Sequence, residues 1–471
     1  MRYISTRGRA KASGFEEALL AGLAEDGGLY VPEHDPAPFD AEQMRRLRGR
    51  DYAEVAAAIL ARFAGDAIDR DRLAAITGES YAAFTHRAVA PLVQIGANEW
   101  LLELFHGPTL AFKDFALQVL GRLYDHLLEK RNTRVTIIGA TSGDTGSAAI
   151  EAIRGRKRAS IVILHPAGKV SEVQRLQMTT VHAPNVHNIA IDGTFDDCQA
   201  LVKAMFNDAA FRKEMRLSGV NSINWARIVL QVVYYFTAAL SLGAPDRRVS
   251  FSVPSGNFGN VFAGLVALRM GLPISRLVVA SNENDILTRV FCTGEHRLAE
   301  VCPTISPSMD IQISSNFERL LFDLHGRSGE RVRASMRELA EKGGFGLDAQ
   351  AMASISPPFV AGRCDDARTL STIASVFAET GIVIDPHSAV GVAVARQTKQ
   401  DDEAGTPMIS LATAHPAKFP DAVEKAIGIR PPLPARLADL HRRPERCTNL
   451  ANDLDPLMRH IRACIKAEGD R

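Results

Sequence analysis

Lys113 lies in Leu110-Ala111-Phe112-Lys113-Asp114-Phe115, just after Gly107-Pro108. An amine among apolar side chains at a helix start is poorly solvated and faces the positive end of the helix. Both effects favour its neutral form. A neutral amine is the nucleophile that Schiff-base chemistry needs. The plainer alternative is a lysine whose head reaches water or pairs with Asp114. Two other segments are rich in Gly and small hydroxyl or amide residues. They are Ala140-Thr141-Ser142-Gly143-Asp144-Thr145-Gly146-Ser147 and Pro254-Ser255-Gly256-Asn257-Phe258-Gly259-Asn260. Such loops turn backbone N–H groups toward an anion, and a following helix adds its positive end. Neither fits the P-loop or the dinucleotide fingerprint. The plainer alternative for each is an ordinary tight strand-to-helix turn; for the second this would be costly, because its Gly and Asn residues weaken the elements on either side.

The elements that must hold these residues follow from periodicity. Residues 1–95 read as a mostly helical, Ala-rich domain: Phe15–Leu23 and Asp51–Phe63 have helical spacing, and Asp40 can cap a further helix. From residue 96 short apolar strands alternate with helices of ten or so residues. Strands are expected at Trp100–Phe105, Arg134–Ala140, Ala159–Leu164, Val186–Ile191, Val249–Val253, Leu277–Ser281 and Met408–Thr413. Helices are expected at Phe112–Leu128, Ser147–Ile153, Ser171–Thr180, Phe195–Phe206, Trp225–Leu242 and Val261–Met270. This alternation specifies α/β architecture with mainly parallel, doubly wound sheets covered on both faces. The α/β region runs over 96–425, with an irregular insertion around 282–375. Val383–His387 returns to sheet grammar, and 426–471 is a Pro- and Arg-rich tail ending in a helix. Both Gly-rich loops then join a strand to a helix, where an open parallel sheet binds its ligands.

Composition narrows the function classes. The 55 Lys+Arg against 54 Asp+Glu leave a net charge of +1, so no global field for nucleic acid or anionic membrane exists. No aromatic-basic interleaving suggests nucleic-acid binding. Six Cys with no C-x-x-C give neither a disulfide framework nor a zinc site. The basic N-terminus lacks an apolar segment and a cleavage signal, so no secretory peptide is expected. No apolar run reaches the ~20 residues of a membrane span. A cytoplasmic protein without metal is the expectation. Asp385 and His387 look like a dyad, but with Pro386 between them Asp385 reads as a turn residue. His106 and His415 read as local hydrogen-bonding groups beside their turns.

A lysine for covalent attachment, an amide-rich phosphate cup and a partner for a ring nitrogen are together what a pyridoxal 5′-phosphate enzyme requires. At this point the chain resembles the threonine synthases, fold type II enzymes of the tryptophan synthase β-like kind, in their long bacterial and fungal branch. The resemblance rests on Tyr3–Gly8, Asp26–Pro32, Phe105–Phe115, Gly139–Gly146, His165-Pro166 with Gly168–Ser171, Asn221–Arg227, Pro254–Asn260, Ser314–Arg319 and Ala412–Phe419. These blocks run in family order over nearly the whole chain. The effector-sensing extension of the plant branch is not expected.

The resemblance implies conversion of O-phospho-L-homoserine and water to L-threonine and phosphate, by γ-elimination and then addition of water at Cβ. It implies that Lys113 carries the cofactor and shuttles protons. Ser255, Gly256, Asn257, Phe258, Gly259 and Asn260 would cup the cofactor phosphate, and Thr413 would bond the pyridine nitrogen. Thr141, Ser142, Gly143, Asp144 and Thr145 would hold the substrate carboxylate. Many fold type II relatives have Asn where Asp144 stands. The substrate's phosphate needs a cationic or amide cluster, for which Lys169, Ser171, Asn221, Asn224 and Arg227 are candidates, with Arg319 behind them. Asn224 can equally be a helix N-cap and Arg227 a solvated side chain. Three rival functions remain: a phospholyase giving 2-oxobutyrate, ammonia and phosphate; a serine or threonine dehydratase; and a non-catalytic metabolite-binding regulator. The only expected partner is the small-molecule substrate, with no nucleic acid and no membrane, in a monomer or homodimer.

Overall fold

The computed structural model describes residues 1–141, 143–219, 222–399 and 405–469. The chain forms two compact units. One comprises Met1–Leu19, Leu23–His106 and Ser222–Pro431; the other comprises residues 20–22, 107–219 and 432–469. These units divide the chain differently from boundaries at 95/96 and 425/426.

Fifteen described strands set the frame. β1 (Tyr3–Ser5) and β2 (Tyr30–Pro32) pair antiparallel. β3 (Leu92–Gly96) and β4 (Glu99–Glu103) form a hairpin. The central part holds β5 (Val135–Ala140), β6 (Ala159–Pro166), β7 (Val186–Asp192), β8 (Leu217–Ser218), β9 (Val249–Pro254) and β10 (Ile274–Ser281). A second small ribbon is β11 (Glu295–Arg297) with β12 (Gly344–Gly346). The last strands are β13 (Phe359–Arg363), β14 (Met408–Ala412) and β15 (Thr448–Ala451).

The first unit is built on the six-stranded order β13-β10-β9-β14-β4-β3, parallel except for β3. β14 comes late in the chain yet sits in the middle, with Ser410 opposite Ser252 of β9 and Leu101 of β4. The carboxyl ends of β9 and β14 are therefore neighbours. The helices Trp225–Ser241, Gly259–Arg269 and Pro386–Gln397 are buried along most of their length, which suits apolar runs without a polar face. Among the N-terminal helices, Ala41–Leu47 opens on a reciprocal cap: Asp40 accepts from Gln43 N at 2.8 Å and Gln43 Oε1 accepts from Asp40 N at 3.3 Å.

The second unit carries the all-parallel order β15-β7-β6-β5-β8. Ile138, Val162, Leu164, Ile189 and Ile191 on its strands pack with Leu457, Met458 and Ile461 of the helix Leu454–Gly469.

Several expectations need correction. Val383–Asp385 is not a strand; the helix opens at Pro386, with Asp385 as its cap. Residues 359–363, expected inside an irregular insertion, are the edge strand β13, and Asp366–Thr380 is a helix. β3, β8 and β15 escape sequence reading because each is short, half-exposed or turn-like, and is recruited by a neighbouring strand. The helices after the two Gly-rich loops begin at Asp144 and Gly259, earlier than Ser147 and Val261. The end of each loop is thus first-turn helix: Asp144–Ser147 in the first, Gly259 and Asn260 in the second.

Candidate active site

In the second unit, Lys113 opens the helix Lys113–Lys130 after the Gly107-Pro108 turn. That turn is clamped by Asp114, which is fully buried. Its carboxylate accepts from Thr109 N and from Thr109 Oγ1, both at 2.8 Å. A Cβ at Gly107 would lie 2.5 Å from Asp114 Cβ, so only glycine lets the turn close there. With Asp114 engaged in this clamp, the Lys113 ammonium pairs with Asp144: Nζ lies 3.2 Å from Oδ2, and the two side chains are only 12% and 5% exposed. The expected Lys113–Asp114 alternative is therefore replaced by a pair that crosses to the Gly-rich loop after β5.

That loop is organised from within. Thr141 Oγ1 accepts from Gly143 N and Gly146 N, each at 3.0 Å, which ties the turn to the first turn of the helix Asp144–Ile153. Asp144 Oδ1 accepts from Gln174 Nε2 at 2.8 Å, and Ser171 Oγ donates to Gln174 Oε1 at 2.8 Å. Thr145 is half-buried in the same first turn, and Lys169 is exposed. Ser142 and Asn221 lie outside the described residues. The Lys113–Asp144–Gln174–Ser171 chain was not anticipated for Gln174. Its one sequence signal is Ser171-x-x-Gln174 at a helix start, a capping-box spacing.

In the first unit, the loop Ser255–Asn260 leaves the carboxyl end of β9, and Thr413, 6% exposed, follows the carboxyl end of β14 beside it. Ser255 Oγ accepts from Phe258 N at 3.2 Å, and Phe258 adopts the left-handed region at φ 63°. Ser314 Oγ donates to Gly256 O, and Asn316 N donates to Asn257 Oδ1 at 3.3 Å. Tyr234 and Tyr235 donate to Asn260 Oδ1 at 2.6 and 3.0 Å; burial pushes both phenols well up, so they remain donors. The amides of Gly256, Asn257, Gly259 and Asn260 have no acceptor among the described residues. A turn of open N–H groups at a helix N-terminus fits a phosphate dianion.

The proposed substrate-phosphate cluster is not uniform. Asn224 caps the helix Trp225–Ser241 by accepting from Ala226 N at 3.0 Å, and its Nδ2 donates to Leu19 O at 2.8 Å. Its amide is thus engaged at both ends. Arg227 is 2% exposed instead of solvated, and burial pulls its guanidinium down to about 10. Arg319 is fully buried and holds Tyr30 O, Ile223 O and Asn316. Asp385 accepts from His387 N and Ser388 N as a cap, and His387 Nδ1 lies 2.7 Å from Asp385 Oδ2. His387 Nε2 accepts from Ser308 N, so the dyad is a structural joint. His106 pairs with Glu103 at 2.7 Å, and His415 Nδ1 accepts from Ala417 N.

The donor set fits pyridoxal 5′-phosphate. The second unit holds an amine of the kind the group needs, Lys113; the first holds the open amides of Gly256, Asn257, Gly259 and Asn260, of a kind that suits a phosphate, and the neutral hydroxyl of Thr413, of a kind that suits a ring nitrogen. Comparison with known proteins agrees. Residues 2–81 match the threonine synthase N terminus, residues 85–356 the pyridoxal-phosphate dependent enzymes, and residues 388–461 the threonine synthase C-terminal family. The threonine synthase of Pseudomonas aeruginosa is 54% identical over 472 residues, covering 100% of this chain and 99% of that protein. The PLP-bound threonine synthase of Brucella melitensis superposes with a TM-score of 0.96 at 56% identity, covering 98% of this chain and 99% of that one. The yeast threonine synthase superposes with a TM-score of 0.94 at 39% identity, covering 99% of each chain. The chain belongs to the threonine synthase family of pyridoxal-phosphate-dependent enzymes.

Proposed function

We propose that the chain converts O-phospho-L-homoserine and water to L-threonine and phosphate, as a cytoplasmic monomer or homodimer whose partner is that small molecule. The observation that carries this reading is the match to threonine synthases in sequence and fold from end to end. No helix among the described residues is long and apolar enough to cross a membrane, which is consistent with the proposed location.

Bound pyridoxal phosphate supplies the electron sink that lets the substrate lose protons from Cα and then Cβ. Lys113 Nζ would hold the cofactor, and as a free amine it would take the proton from Cα. Asp144, 3.2 Å from Nζ, then stabilises the ammonium that results. Once that first proton has passed to water, the same amine would take the proton lost from Cβ, and the ammonium so formed would be the local donor to Cγ after phosphate has left. Gly256, Asn257, Gly259 and Asn260 bind the cofactor phosphate through their N–H groups, and Ser255 keeps that turn closed through Phe258 N. Thr413 orients the ring without placing a charge on its nitrogen, unlike an Asp partner. Thr141 shapes the turn whose N–H groups and Thr145 hydroxyl hold the substrate carboxylate. Lys169 is the exposed cation best suited to the departing phosphate, because Asn224 is engaged as a cap.

The test is incubation of the purified protein with phosphohomoserine while phosphate, threonine and 2-oxobutyrate are all measured. Phosphate and threonine are expected in equal amounts. 2-Oxobutyrate as main product would replace this reading with the phospholyase, and no turnover would replace it with a binding protein.

A further inference from the structure

Asp144 and Gln174 are buried, at 6% and 4% exposure, and the contact between them lies in the tightest part of the loop after β5. A Cβ at Gly143 would fall 2.4 Å from Gln174 Cδ and 2.5 Å from its Nε2. Glycine at 143 is thus what lets the Gln174 amide reach Asp144. A carboxylate only accepts hydrogen bonds, so the amide nitrogen of Gln174 must face it. Its oxygen then points to Ser171, whose hydroxyl donates to it at 2.8 Å and prevents the amide from turning over. Of the two Asp144 oxygens, one is satisfied by Gln174 at 2.8 Å and the other faces Lys113 Nζ at 3.2 Å.

The geometry points to Gln174 as a positioning residue. Oriented by Ser171, it keeps the Asp144 carboxyl group aimed at Lys113, so that the lysine accepts and returns protons at one fixed place. The inference rests on Lys113 being the proton-moving group of the proposed reaction. It gives Ser171 a role through Gln174, in place of direct contact with the substrate phosphate. Without the Gln174 donor, a buried carboxylate loses a hydrogen bond to its charged form, and its hold on the ammonium weakens.

The test uses holoprotein of wild type and of Gln174→Leu, Ser171→Ala and Ser171→Thr. In Gln174→Leu, kcat is expected to fall roughly tenfold while KM for phosphohomoserine changes less than about twofold. The pH midpoint of the bound cofactor's absorption band should drop by roughly half a unit, because a carboxylate held near Nζ favours the protonated nitrogen. Ser171→Ala should show a smaller change in the same direction, and Ser171→Thr should restore both readouts. Cofactor content and the thermal midpoint should match wild type. Unchanged kcat and absorption midpoint would overturn the inference. So would Ser171→Thr behaving like Ser171→Ala, or loss of cofactor and stability in both Gln174→Leu and Ser171→Ala. Failure of wild type to consume phosphohomoserine would sink the reaction, while the absorption midpoints would still decide the role of Gln174.

Discussion

The chemistry of Lys113 is set by which neighbour takes its charge. Asp114 is adjacent in the chain but is held by Thr109, so the ammonium turns to Asp144, 31 positions away. Lys113→Arg keeps a cation for Asp144 and removes the nucleophile. Turnover should fall by at least ~1,000-fold while the fold persists. The check is a rate assay with borohydride trapping: an adduct that maps to another residue would sink the assignment of Lys113. Residue-scale reading of the sequence went far here, because an amine among apolar neighbours and Gly-rich loops are composition signals. It missed Gln174, whose partner Asp144 lies in another helix, and it could not see that burial, not solvent, surrounds Arg227.

Two helix ends carry element-scale consequences. At the start of the helix Gly259–Arg269, Phe258 sits in the left-handed region and its ring packs with Phe317, Phe291 and Phe359 at 5.6, 5.8 and 6.0 Å. Phe258→Gly would relieve about 1–2 kcal/mol of backbone strain but lose about 3–5 kcal/mol of packing. The net is destabilisation, read as a lower urea midpoint; an unchanged or higher midpoint would show that strain dominates. At the other end of the chain, the helix Leu454–Gly469 is tied to β7 by His187 Nε2 and Glu468 Oε1 at 2.6 Å. Burial pulls the imidazole down, but hydrogen bonds with Cys464 and Glu468 outweigh it and raise its pKa to about 9. A pKa raised on folding stabilises fully below the unfolded value of 6.5 and is lost as pH rises through about 9. Glu468→Gln should therefore cost about 1–2 kcal/mol at pH ~6 and much less at pH ~10. Urea midpoints at both pH values check this, and an equal gap at both would refute it.

At the scale of the molecule, distant segments meet in the first unit. Arg319 donates to Tyr30 O at 3.1 Å and to Ile223 O at 2.5 Å, and its guanidinium lies 5.5 Å from the Trp225 ring centroid. Burial lowers its pKa to about 9, a cost the structure accepts for these carbonyls. Arg319→Met should destabilise by about 2–4 kcal/mol, because two buried carbonyls lose their donor. Denaturant unfolding measures it, and a neutral result would mean that the burial cost of the charge had cancelled the bonds. Next to it, Glu318 accepts from Thr6 Oγ1 at 2.5 Å and pairs with Arg7 at 2.9 Å. Such ties join residues 1–33 to 222–260 and 314–319, which is why the first unit includes the N-terminal region.

By itself, the sequence determined the elements with strong local signals. These were the buried strands 135–140, 159–164 and 249–253, the capped helices near Asp40 and Asp51, and the two Gly-rich strand-to-helix loops with Lys113 nearby. Periodicity, capping and glycine chemistry are local, so they can be read along the chain. Tertiary structure decided which strands are neighbours, with β14 placed between β9 and β4 and β15 recruited beside β7. It also decided that Asp144 takes the charge of Lys113 and that Asn224 is a cap. Those outcomes depend on burial and on partners tens to hundreds of residues apart, where hydrogen bonds are made only after the chain has packed.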